Sequence, residues 1–545
     1  MEFRIAGVGE TNLALVNGKI YLERGAFCQA LLIEGNYITH IGTNDEIQQL
    51  SPSGTKFFDC QGCAVIPGFN DAHLHLAFAG ARKMEVDLYD CDSEENLVQR
   101  CRQFIDAHPE WCTDGLRGGG WNQDLFPSRK TPVRQLLDRI STEIPIVLSR
   151  VCGHVVIANS KAIEMAGMSA TTPQPDDGSF GVEEDGYPNG IFNENHSFVA
   201  EVIPAYSIDQ VETHLHTAMQ YAISCGITSV QSNDANGSTG IGNMYQLLHK
   251  IHDAGQLPLR YRHQTTFPTP ESFLQSLQEG EYRYGKYDDM LALGPLKMFK
   301  DGGLGGRTCY MRQDFCDDPG NRGISTMTPE TMDRFCQIAD AHNIQAVTHV
   351  IGDLAADETL DSYAKILRNG TNPLRHGLIH LQISDTPILE RIAAYGVTVH
   401  YQPVFLQYEL HIVEQRVGKE LASTSYAFGQ ADRLGIHVAY SSDAPVEDCN
   451  PLPNLYCAVT RQDFKGNPPG GFAPHQKVDL STAIDAYTIG SAYCEFAENN
   501  KGRLRPGWLA DITVLDRDIF DLAPDVLLET KVALTVVNGR IVYQA

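Results

Sequence analysis

Short apolar runs recur along the whole chain, and what separates them divides the sequence into two kinds of region. At both ends the runs are β-rich and broken by tight turns: Leu13–Tyr21, Ala30–Ile38 and Lys56–Asp59 near the start, Ala510–Leu515 and Val532–Tyr543 near the finish. The turns Asn17-Gly18 and Glu34-Gly35-Asn36 are hairpin chemistry, because glycine and asparagine tolerate the positive φ that tight hairpins require. Neither end has enough residues for a solid core alone. Residues 1–67 and 499–545 are therefore predicted to pair into one composite β-sandwich with the termini close together.

In the middle, most runs are followed by a helix-like stretch instead of a turn. Reading forward they are Ala72–Leu76, Ile227–Gln231, Leu259–His263, Leu296–Phe299, Ala346–Val350, Leu378–Leu381, Val397–Tyr401 and Val438–Ser442. Gly226, Gly396 and Gly435 stand before three of them, where αβ loops place the glycine that closes a helix. Eight strands alternating with helices is the pattern of a (β/α)8 TIM-like barrel, so the expected fold class is α/β, with the barrel over residues 68–498. The first interval is anomalous. A βα unit needs roughly 30 residues, whereas 150 residues separate Leu76 from Ile227. An insertion subdomain is expected at 77–205, with its own strand at Ile144–Ser149 and enough chain to form a lid over one barrel face.

Composition narrows the function. Of 545 residues, 42% are hydrophobic and 20% charged, values that exclude wholesale disorder. Forty-two basic against 68 acidic residues leave a net charge of −26. So acidic a surface repels phosphate backbones and anionic lipid, and neither nucleic acid nor membrane is an expected partner. No apolar run approaches the roughly 18 residues of a spanning helix, and residues 1–21 lack the basic-then-apolar order of a secretory signal. The 14 cysteines are scattered, as in a reducing compartment, and the expected location is cytoplasmic. Cys60-Gln-Gly-Cys63 has no second pair at zinc-ribbon spacing and reads as two ordinary thiols.

Candidate chemistry sits at strand ends. His73 and His75 fall two apart on a predicted strand, where both side chains leave the same face and can grip one cation. His214 and His216 have the same spacing but lie in a helix-like segment, where residues two apart diverge and cannot share a metal. His349 ends the fifth run, His380 the sixth, and Asp443 follows the eighth. In an αβ-barrel the C-terminal ends of strands converge on the active site. Imidazoles with a carboxylate suit zinc or a similar first-row ion better than calcium or magnesium. Lys297, in the fourth run, leaves two readings open. An ammonium beside divalent metal would be repelled, so the amine is either neutral or carbamylated there, or it faces the helices and pairs with a carboxylate, as its neighbour Lys300 equally could.

The motifs around these residues resemble the amidohydrolase superfamily, in its amidohydrolase-3 or YtcJ-like branch. They are Val65–His75, Gly120–Gln123, Gly153-His154 through Ala162, Gly226–Val230, Leu296–Gly302, His349–Asp353, Gln402-Pro403, Ser442–Pro445 and Leu509–Val514, so the resemblance covers nearly the whole chain. It implies that His73, His75 and Asp443 bind the more buried metal and that His349 and His380 bind a second. Lys297 matches the lysine that becomes a carbamate bridge in binuclear relatives. The implied cofactor is a divalent metal, zinc by preference, one or two per chain. The implied reaction is hydrolysis of a non-peptide carbon–nitrogen bond (amide, N-formyl or related) by a metal-activated hydroxide, with Asp443 as proton shuttle. Gly377-Leu-Ile-His380 departs from the relatives' frequent Arg-Ile-Glu-His, which removes an acidic neighbour of His380. Trp121, His154, Asp301, Arg307 and Gln402 are expected to contact a small-molecule substrate, and a homodimer is an allowed assembly. A mononuclear deaminase or isomerase on the same scaffold is the alternative reading, and a non-enzymatic scaffold the more distant one.

Overall fold

The computed structural model describes residues 12–150, 155–175, 178–194, 197–236 and 240–545. Eight strands make the barrel: β1 (Phe69–Leu74), β2 (Ile227–Ala235), β3 (Arg260–Thr265), β4 (Leu291–Phe299), β5 (Ala346–Val350), β6 (Gly377–His380), β7 (Thr398–Tyr401) and β8 (Val438–Tyr440). They neighbour one another in chain order, and every pair from β1–β2 to β7–β8 is parallel. The strands are largely buried, and in β2 and β3 polar side chains such as Asn233, Arg260, Arg262 and Gln264 are buried along with the apolar ones.

No ladder joins β1 to β8 among the described residues, so the barrel is nearly closed. The seam is bridged just past the strand ends. There the Asp443 N–H donates to the His73 carbonyl at 2.9 Å and the His75 N–H to the Ala444 carbonyl at 2.8 Å. The first strand begins earlier than its apolar run suggests, and His75 lies one residue beyond Leu74, its last residue. The polar residues Asn70 and Asp71 break the apolar pattern yet stay in the strand because each has a hydrogen-bond partner inside the barrel, although Asn70 Oδ1 has none. Asn70 Nδ2 donates to Glu495 at 2.6 Å, and Asp71 accepts from the Ser442 hydroxyl at 2.6 Å.

Two smaller sheets collect the strands from the chain ends. One has four strands in the order Tyr37–Gly42, Ala30–Glu34, Leu13–Val16, Lys56–Asp59. The other runs Arg540–Gln544, Val532–Val537, Ile512–Leu515, Ala64–Pro67, Lys19–Glu23, Ala26–Cys28, so residues from both ends share one sheet. A single apolar cluster holds Leu15, Ile20, Leu31 and Val65 together with Ile512, Val514, Leu534 and Val536.

Residues Ala77–Ala218 form a separate compact unit. Its six-stranded sheet has the order Gly178–Val182, Pro188–Glu194, Val155–Ala158, Ile146–Arg150, Leu116–Trp121, Val86–Asp87. Only one of these strands was expected from the sequence pattern. Leu116–Trp121 carries three glycines in a row, and they offer no alternation to read. Close approach demands them: a Cβ on Gly118 would fall 2.2 Å from Val86 Cγ1, and Gly120 has φ +98°. His214 lies in the helix Ile208–Ser224 as expected, buried, with its ring 4.4 Å edge-on to Tyr206. No described helix is long and apolar enough to cross a membrane.

Candidate metal centre

The ends of β1 and β8 bring three side chains to one point. His73 Nε2 lies 3.3 Å and His75 Nε2 3.5 Å from Asp443 Oδ1, and the three ligand atoms are all within 4.8 Å of one another. Each imidazole is fixed through its other nitrogen. His73 Nδ1 is 2.6 Å from Gln264 Oε1, and His75 Nδ1 is 3.2 Å from the Asn233 carbonyl. The Gln264 amide is itself oriented, because its Nε2 donates to the Ala72 carbonyl at 3.0 Å. A glutamine oxygen and a backbone carbonyl only accept, so both histidines carry their proton on Nδ1 and turn an Nε2 lone pair toward a carboxylate. Lone pairs facing lone pairs repel. The arrangement fits a cation between them, and supported histidines of this kind are what metal sites require.

With an Nε2–H in place of an ion, the same three groups pair with one another instead. Burial, reinforced by the Lys297 charge, pushes His73 down to about 3. For His75 burial works downward, but the bonds to Asp443 outweigh it and hold the ring above its ordinary value. Burial alone would raise Asp443, yet His73 and His75 together hold it well below the usual carboxylate range. Asp443 is therefore anionic at neutral pH. It sits at φ +58°, a conformation aspartate tolerates better than most residues.

His349 on β5 and His380 at the end of β6 form an adjoining pair with rings 4.5 Å apart, and the His380 ring is 5.8 Å from that of His73. His380 Nδ1 is 2.7 Å from Gln402 Oε1, while Gln402 Nε2 donates to the His400 carbonyl at 3.0 Å and the Ser441 hydroxyl at 2.7 Å. That amide sets the His380 proton just as Gln264 sets that of His73. Burial pushes His380 down to about 4 and His349 well below the imidazole range, so both are neutral and ready to ligate. His349 Nε2 lies 3.3 Å from the Gly302 carbonyl and 3.6 Å from Asp301 Oδ1.

Lys297 completes the set. It is 1% exposed, its Nζ has no hydrogen-bond partner, and that nitrogen sits 3.7 Å from the centroid of the Phe299 ring. Burial lowers the amine to about 7 although Asp443 and Asp301 pull the other way. A buried amine without a partner is costly, so this atom also fits a group the chain does not itself supply.

The remaining sequence candidates separate. Asp301 accepts the N–H groups of Ile351, Gly352 and Tyr310 at 3.0, 2.7 and 2.9 Å and so anchors the loops after β4 and β5. Gln402 orients His380 rather than standing free for substrate. Arg307 was expected at the substrate, but its guanidinium is taken by Asp317 through two 3.0 Å bonds. Trp121 is likewise core, fully buried in the insertion with its indole N–H on the Leu148 carbonyl at 2.9 Å. His154 lies outside the described residues. Gln264 and Asn233 escaped the sequence reading. A faint signal existed for Gln264, since alternation along β3 places it on the face opposite His263, whose ring packs between Tyr245 and Tyr261.

Known proteins resemble this chain in sequence and fold. The sequence model described as "Amidohydrolase family" matches residues 56–543. YtcJ of Bacillus subtilis is 30% identical, over 97% of this chain and 98% of its own length. N-substituted formamide deformylase of Arthrobacter pascens is 25% identical over 98% of each chain. An uncharacterized metal-dependent hydrolase from Pyrococcus horikoshii OT3 superposes with a TM-score of 0.77 at 26% identity, covering 94% of this chain and 99% of its own. A match that runs through the barrel, the insertion and the C-terminal strands leaves one assignment: the chain belongs to the amidohydrolase family.

Proposed function

We propose that this protein hydrolyses a non-peptide carbon–nitrogen bond in a small amide, N-formyl compound or close relative. Family membership makes it a hydrolase of carbon–nitrogen bonds. The observation that carries the finer reading is the meeting of His73, His75 and Asp443 within 4.8 Å, beside the histidine pair and the partnerless Lys297 amine.

His73, His75 and Asp443 would hold one divalent ion, and His349 with His380 a second. A neutral lysine amine adds carbon dioxide and releases a proton, and the resulting carbamate of Lys297 would join the two. The nitrogen-rich donor set favours zinc. Bound there, such an ion supplies Lewis acidity and draws the pKa of water from about 15.7 towards about 7. The chain's own residues do the rest. Asp443, held ionised, receives the proton of the attacking water on its carboxylate and returns it to the departing nitrogen. Gln264 and Gln402 keep the Nε2 atoms of His73 and His380 free of protons throughout the cycle.

A panel of N-acyl and N-formyl compounds, followed by amine release and paired with metal analysis, tests the reading. Amine release from at least one member, with about two metal equivalents per chain, is the expected result. Silence across the panel with ammonia release from an aminoheterocycle would establish a deaminase. Folded protein that stays metal-free after supplementation would establish a non-catalytic scaffold.

A further inference from the structure

Among the described residues a second group of side chains has its ligand atoms within 4.8 Å of one another, and it shares no member with the first: Cys225, Asp448 and Cys449. Cys225 directly follows the helix Ile208–Ser224, while Asp448 and Cys449 lie on the loop between β8 and the helix Pro451–Thr460. The thiols are 8% and 6% exposed, whereas Asp448 is exposed, so the cluster opens to solvent on its carboxylate side. Tyr221, one helical turn before Cys225, sets its hydroxyl 2.9 Å from both oxygens of Asp448 and fixes the carboxylate's direction. The Cys449 thiol donates to Cys225, holding Cys225 below the ordinary thiol range and Cys449 well above it. Such a pair gives up its first proton readily. Cys60 and Cys63, the pair closest in sequence, belong to no such group.

We propose that Cys225, Cys449 and Asp448 form a second cation site that takes one thiophilic divalent ion, zinc or cadmium, independently of the histidine cluster. Two thiolates and a carboxylate bring three negative charges to a dication and leave one tetrahedral position for water. Zinc–sulfur bonds of about 2.3 Å place two sulfurs about 3.8 Å apart in a tetrahedron, within the span observed here. Sulfur selects soft ions, whereas calcium and magnesium seek oxygen cages, so neither competes. The entry side is set by exposed Asp448, and the Tyr221 hydroxyl supports the carboxylate as metal ligands usually require. An ion held there would tie the segment before β2 to the loop that follows β8.

Cadmium added to the metal-loaded protein supplies the test. Thiolate-to-cadmium charge transfer absorbs in the ultraviolet, and histidine or carboxylate ligands give no such band. Absorbance should rise and saturate at about one equivalent. Cys225→Ser and Cys449→Ser should each abolish the rise, and Tyr221→Phe should weaken binding about tenfold. Cys316→Ser, at an exposed thiol, and His73→Ala should both keep the band. The His73 variant thus separates failure of this site from failure of the hydrolase reading. A serine variant that does not fold is bypassed by the wild-type protein: cadmium should slow iodoacetamide labelling of Cys225 and Cys449 at least tenfold, read by peptide mapping, and spare Cys316. Absence of the band, its persistence in both serine variants, or unshielded labelling of the two thiols would overturn the site.

Discussion

Lys297 and Lys300 stand three residues apart at the end of β4, and both are buried, at 1% and 0% exposure. Their surroundings are opposites. Lys300 turns toward the helix Asp353–Ala364, where it meets Glu358 at 2.6 Å, the Ser325 hydroxyl at 3.0 Å and the Met327 carbonyl at 2.5 Å. Lys297 turns into the barrel, where its Nζ lies over the Phe299 ring without a hydrogen-bond partner and feels Asp443 and Asp301 only through their charge. Behind the strand the chain balances its own cation. Inside the barrel it leaves lone pairs and an amine that only a bound group can satisfy, and a fold tolerates that cost where function requires it.

The sharpest way to break this comparison is to remove each lysine. Lys297→Ala should lower turnover by at least about a hundredfold, with partial rescue by a short carboxylate, and reloading of apo-protein with zinc should be faster with bicarbonate. Lys300→Met should leave turnover per folded molecule nearly unchanged and cost about 3 kcal/mol of stability by stranding Glu358. Thermal melts and steady-state rates together separate the two. A crystal map with an unmodified Lys297 turned away from a single metal would sink the bridging role.

Next comes the contrast between identical spacings. His73→Ala and Asp443→Ala should each lose metal and activity while circular dichroism stays near wild type, because the barrel's apolar core does not include them. His214→Ala, in its helix, should keep full metal content. Equal metal loss in the His73 and His214 variants would show that spacing, not strand or helix, governs. A smaller effect is expected from the amides: Gln264→Ala or Gln402→Ala should weaken metal binding about 10- to 100-fold, measured by competition with a chelator.

The smallest effect concerns acid. Burial depresses His263 to about 3 and His376 to about 4, so below roughly pH 6.5 the unfolded chain binds protons that the folded chain refuses. Stability is therefore complete above that pH and falls as pH drops toward 4. His263→Phe, which keeps a flat ring between Tyr245 and Tyr261, should flatten the decline by at most ~1.4 kcal/mol per pH unit. Denaturation curves at several pH values would reveal it, and an unchanged slope would mean that His263 protonates without unfolding.

How much of this is legible in the sequence depends on whether a residue's role is local. Most of the eight strands show themselves because buried parallel strands favour continuous apolar residues, with β3, which carries Arg260, Arg262, His263 and Gln264, as the exception. The insertion's sheet stays hidden because Gly118, Gly119 and Gly120 are required by close approach to Val86, Arg82 and Tyr89 and display no pattern. Candidate ligands can be picked out by position, since His349, His380 and Asp443 fall at or just past the end of a run and His73 stands two residues from His75 within one. Their supports are harder: Gln264 goes unnoticed and Gln402 stands out only as a substrate contact, because both act through partners on other strands. Arg307 is paired with Asp317 on its own loop, a contact that the sequence pattern does not declare either.

The seam between β1 and β8 has one more consequence. Every other pair of barrel neighbours is stitched by a ladder, while this one has two backbone hydrogen bonds, from Asp443 to His73 and from His75 to Ala444, beside the side-chain link of Ser442 to Asp71. Three of the four residues in those backbone bonds are candidate ligands. An ion gripping them would serve as the missing rung of the cylinder, so that assembling the centre and fastening the wall become one event. Removing it should quicken deuterium uptake at the amides of His75 and Asp443 first, a slackness drawn along one line of the barrel while its other seven joints stay taut.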